Sequence, residues 1–77
     1  MIALKVNDKD FYVKGIDDKT DKLVFTNNPH EAEDWYDDWR ANTRIQFLKT
    51  HVSLGNISMP EGQENYLDKL IPYYVER

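Results

Sequence analysis

The side chains with chemistry to offer crowd into one stretch, residues 27–44, NNPHEAEDWYDDWRANTR. Five carboxylates stand there: Glu31, Glu33, Asp34, Asp37 and Asp38. Paired carboxylates can do acid–base work only where a pocket drives their pKa values apart. A chain of 77 residues has little room for such a pocket. His30 and Asp34 have the i,i+4 spacing of a metal pair, but one pair without a third ligand is a weak metal site. His30 would also lie where a helix dipole disfavours its protonated form. His51 stands alone near a helix end, where a dipole contact explains it. Ser53 and Ser58 have no nucleophile-elbow context, and Gly15, Gly55 and Gly62 form no phosphate loop. The expectation is a chain without enzymatic activity, cofactor or metal.

The carboxylates depend on the element that carries them. Asn28 is a good helix N-cap, Pro29 fits the first helical position, and Glu31 has the capping-box spacing. Glu31, Glu33 and Asp34 then sit near the positive end of the helix dipole, with Arg40 and Arg44 nearer the other end. This spacing predicts a helix opening at Asn28. At about 100° per residue, Ala32, Trp35, Tyr36, Trp39 and Thr43 share one side and Glu33, Asp34, Asp37 and Asp38 the other. Trp35 and Trp39 are expected to anchor the helix to a sheet, leaving Tyr36 at the edge of the stripe. Like charges one turn apart cost a helix roughly 0.2–0.5 kcal/mol per pair. The simpler reading of the acidic side is a solvated face; the sharper one is a surface for a basic partner.

Strands are expected on either side of polar turns: Ile2 to Val6, Phe11 to Ile16 with a bulge or bend at Gly15, and Leu23 to Thr26. Short connections favour consecutive antiparallel pairing. Beyond Arg44 the pattern divides. Ile45, Leu48 and Val52 have helical spacing but point away from the Trp35/Trp39 side of a straight helix. A bend near Asn42 and Thr43, a second helix, or a strand over 44–50 would each resolve this, with continued helix to about Thr50 preferred. Gly55 and Asn56 suit its termination. Ser58, Pro60 and Glu61 form a second capping box, predicting a short helix over about residues 61–70 that Pro72 stops. Tyr73-Tyr74-Val75 could add an edge strand. The fold class is α+β: an N-terminal three-stranded antiparallel meander packed on a central amphipathic helix, then a short C-terminal helix. No repeat or linker divides the chain, so residues 1–77 make one small domain.

Composition narrows the function classes. There is no cysteine, which removes disulfides and thiolate chemistry and suits a reducing, cytoplasmic setting. The stretch MIALKVNDKD has no long apolar run and no cleavage signal, so no secretory leader is expected, and no segment has the apolar length of a membrane span. Net charge is −4, with five lysines and ten acids in residues 1–39, a balance of −5. A direct nucleic-acid binder would show a basic stripe instead. Ten aromatic residues are many for this length, and those that reach the surface favour a partner or a homodimer.

Binding is therefore the expected activity. In one reading the protein docks on a larger one through Tyr12, Tyr36, Tyr73 and Tyr74, guided by Glu33, Asp34, Asp37 and Asp38. In a second it is an acidic mimic of a nucleic-acid backbone, with Asp34 and Asp38 about 6 Å apart along the helix. Lys5, Lys9, Lys14, Lys19 and Lys22 dilute that negative field. A third reading is a self-associating structural subunit.

Residues 4–48 resemble small orphan proteins of bacteriophages and prophages of Gram-positive bacteria. The resemblance rests on the aromatic-rich strand in KVNDKDFYVKGI, the strand LVFT and the helix start NNPHEAEDW. It implies an accessory protein in the cytoplasm of a bacterial host. Such proteins often bind and inhibit one host enzyme or defence complex, as some anti-CRISPR proteins do. The partner would be a host protein, among which nucleic-acid enzymes are candidates.

Overall fold

A computed structural model describes residues 1–76. Four strands form one antiparallel sheet: β1 (Ile2–Val6), β2 (Tyr12–Ile16), β3 (Leu23–Thr26) and β4 (Leu70–Tyr74), in the order β3-β2-β1-β4. One long helix, α1 (Asp38–Ser53), packs on one side of the sheet, and a 3-10 segment (Glu64–Lys69) leads into β4. The α+β class and the meander stand as the sequence predicts. The C-terminal strand makes the sheet four-stranded and begins at Leu70 rather than Tyr73.

The core explains the divided pattern of the helix. Ala41, Ile45 and Leu48 are buried, and Val52 packs beside them against Leu4, Val6, Val13 and Leu23. These helix positions repeat at i, i+4, i+7 and i+11, the spacing of one helical face. The Ile45/Leu48 stripe is thus the one that meets the sheet. Trp39 lies off it and is 74% exposed, so its expected role as a core anchor is corrected. Trp35 remains half-buried at the margin of the core.

The start of the helix also differs. Asn28 does cap, its Oδ1 accepting from the His30 amide at 3.0 Å, but only one 3-10 turn follows, Pro29–Glu31. Glu31 does not reach back to the Asn28 amide. That amide donates to Thr26 Oγ1, which in turn donates to Glu31 Oε1 at 2.9 Å. The chain then leaves helical conformation because the sheet needs its amides. β1 and β2 pair at Lys5 and Tyr12 and then part. The segment Glu33 to Trp35 fills the seam: the Glu33 amide donates to Val13 O at 3.2 Å and the Trp35 amide to Ile2 O at 2.8 Å. Asp34 Oδ1 accepts from the Ile2 amide at 3.2 Å. Two strand edges would otherwise hold unpaired backbone groups. Satisfying them outweighs one more helical turn.

α1 then starts at a second cap. Asp37 Oδ1 accepts from the Arg40 amide at 2.8 Å. The helix ends three residues beyond Thr50, where Gly55 takes φ 79°, its amide donates to Val52 O, and the Asn56 amide donates to His51 O. That pair of bonds is the Schellman arrangement, which needs the left-handed backbone glycine allows.

Both sheet edges are blunted. Beside β3, the Leu23 amide donates to Ser58 O and the Ser58 amide to Asp21 O, so Ser58 serves the sheet instead of capping a helix at Glu61. On β4, Met1 and Val75 exchange backbone bonds, which sets the odd residues toward β1 and the even ones outward. Pro72 falls in that outward row and removes a donor there. The predicted bulge is present: the β2–β3 register shifts between Val13 and Gly15. No helix among the described residues is long and apolar enough to cross a membrane.

Candidate protein-binding surface

The fold breaks up the predicted acidic face. Glu33 and Asp34 lie in the seam segment, Asp37 is the cap, and only Asp38 belongs to α1. The 6 Å helical spacing of Asp34 and Asp38 therefore does not apply. Asp34 Oδ1 also accepts from the Tyr36 amide at 3.0 Å, so this carboxylate organises backbone. Asp37 and Asp38 are exposed.

Glu33 turns inward toward α1. Its Oε2 lies 3.7 Å from Arg44 Nη2, and both side chains are mostly buried. Loss of water pushes the Glu33 carboxyl above its usual value, while the Arg44 guanidinium and the Trp35 indole N–H pull it down. Burial wins because the pairing is loose: Glu33 Oε1, Trp35 Nε1 and Arg44 Nε are all buried without a completed hydrogen bond.

The aromatic candidates divide into two groups. Tyr12 is 6% exposed, which corrects its expected availability. It sits on the side of the sheet away from α1, clustered with Ala3 and Val75. Burial first, then Tyr73 and Asp10, raises its phenol pKa. Tyr73 packs against it with its ring tilted by 52° at a centroid distance of 6.1 Å, and Lys5 Nζ lies 5.4 Å from the Tyr73 ring. Tyr73 is partly exposed, and Tyr74 is open at the end of β4 opposite Ile2.

Tyr36 belongs to the other group. It is 75% exposed and holds φ 67°, unusual for a bulky residue. The Asp37 amide donates across it to Trp35 O at 2.7 Å, giving a tight turn of the strained hand. From this turn the outer side of α1 runs through Trp39, Thr43 and Phe47, each one turn apart. Trp35, Trp39, Arg40, Thr43, Arg44 and Phe47 line an open groove of about 240 Å³. Its walls are apolar, and the Arg44 guanidinium lies across the rings of Trp35 at 5.1 Å and Phe47 at 4.8 Å. Arg40 lies 5.8 Å from the Tyr36 ring and 3.9 Å from Asp37 Oδ2.

Reading Trp39 as core hid this groove in the sequence. A usable sign was there: residues 39–60 hold Arg40, Arg44 and Lys49 and no acid, in a chain of net charge −4. Among the described residues, no group of three His, Asp or Glu side chains could hold a metal. Comparisons with protein-family models, curated proteins and solved structures gave no match to this chain.

Proposed function

We propose that this chain is a non-enzymatic binding protein that docks on a larger bacterial protein and modulates it, with the outer side of α1 as its contact surface. The observation that carries this reading is Trp39, 74% exposed beside an apolar groove and outside the core cluster. Removing so large a ring from water contributes on the order of 2 kcal/mol or more to association. Tyr36 and Phe47 flank the same surface. The groove falls below the roughly 300–1,000 Å³ of ordinary small-molecule sites, so it suits an anchoring side chain better than a metabolite. The resemblance of residues 4–48 to phage accessory proteins supports a bacterial host protein as the partner.

The test is capture from a bacterial lysate with the wild-type chain and with Trp39→Ala. The expected result is one stoichiometric protein retained by the wild type and lost by a folded Trp39→Ala variant. Equal retention by both would remove α1 from the contact.

A further inference from the structure

We infer that the α1 groove accepts an acidic amphipathic segment of the partner protein, with one apolar side chain between Trp39 and Phe47 and a carboxylate reaching Arg40. This rests on the proposed binding role and specifies its chemistry. The groove's size admits one anchoring side chain, and its apolar walls give that anchor its binding energy. The charge of the flanks sets what surrounds the anchor. Among the residues that line the groove, Arg40 and Arg44 are basic and none is acidic. Arg40 is largely exposed and holds Asp37 only at 3.9 Å, so its guanidinium can take a second carboxylate. Arg44 is spread over Trp35 and Phe47 and faces Glu33 Oε2 at 3.7 Å, so it forms the groove floor with its charge already engaged.

Two other occupants fit less well. A second copy meeting this surface across a two-fold axis would gather the Arg40 and Arg44 of both copies in one patch, because an isologous interface uses the same surface on each copy. A nucleic-acid strand is a long polyanion and would have to run past Asp37 and Asp38 on a chain of net charge −4.

Selection of short random peptides displayed on phage tests this, using the full chain as bait and Trp39→Ala as counter-bait. Enriched peptides should join one aromatic or leucine to at least one acidic residue. A synthetic copy of the best one should bind the Trp39→Ala chain about tenfold more weakly. Arg40→Glu should weaken it severalfold, and exchanging the peptide's acids for lysines should restore binding to Arg40→Glu. Enrichment of basic or uncharged peptides, or none that depends on Trp39, overturns the inference. So does oligothymidylate binding, or dimerisation in sedimentation, that Trp39→Ala abolishes. Should lysate capture depend on Trp39 while the peptides show no acidic preference, the charge assignment fails and the binding role stands. Should neither depend on Trp39, both fail.

Discussion

Two aromatic surfaces lie on opposite sides of this molecule, and they differ in how far their rings cover one another. On the sheet side, Tyr12, Tyr73 and Lys5 stand on neighbouring strands. Cross-strand neighbours are close enough to touch, so Tyr12 ends 6% exposed. On the helix side, Trp39 and Phe47 are two turns apart, about 12 Å along the axis. They frame a groove instead of closing it, and Trp39 stays 74% exposed. Similar ring chemistry therefore stabilises the fold on one side and is left available on the other.

Alanine at the two sites gives the largest contrast. Tyr12→Ala should cost about 3 kcal/mol in urea unfolding, because it empties a buried site. Trp39→Ala should change stability by no more than about 0.5 kcal/mol while weakening partner binding. Equal losses of stability would erase the distinction. Asp37→Ala should cost about 1 kcal/mol by removing the cap of the helix that carries the groove. An unchanged urea midpoint would mean that α1 does not depend on that cap.

A smaller effect is expected at Tyr36. Left-handed backbone costs a residue with a Cβ about 1–2 kcal/mol, and glycine's chain entropy offsets part of the relief. Tyr36→Gly should therefore gain up to about 1 kcal/mol. A clear loss would show that the tyrosine ring contributes to the fold. The smallest effect should appear at Glu33. Its pKa is raised on folding, so its contribution is fully present below the unfolded carboxyl pKa and is lost as pH rises through the folded value. Glu33→Gln should be at least as stable as wild type at neutral pH, with any advantage vanishing in acid. A variant less stable at pH 7 than at pH 4, relative to wild type, would show that the Arg44 pairing outweighs burial.

Local signals held where the chain used them locally. The alternation of Ile2, Leu4 and Val6, the bulge at Gly15 and the stop at Gly55 all rest on neighbours in sequence. The start of the helix did not, although Asn28, Pro29 and Glu31 carry every sign of one. Those caps close a single turn, because Glu33 and Trp35 give their amides to strands distant in sequence. The same displacement moved the helical face. With α1 starting at Asp38, the stripe of Ala41, Ile45 and Leu48 faces the sheet and Trp39 does not. The candidate surface was accordingly only partly legible. Tyr36, Tyr73 and Tyr74 are exposed and Tyr12 is not; Trp39 has the spacing of a core residue, and Arg40 and Arg44 that of dipole partners, so the groove they line with Phe47 shows only in the fold.

The sequence by itself determined the fold class, the three N-terminal strands and the place where the long helix ends. Hydrophobic period, turn residues and glycine's left-handed freedom act over a few residues and need no distant partner. Tertiary structure decided where that helix begins, which of its stripes is buried and which carboxylates are engaged. The reason is the seam between β1 and β2. Its unpaired backbone groups had to be satisfied, and the segment that could reach them was the one whose local preference was to stay helical.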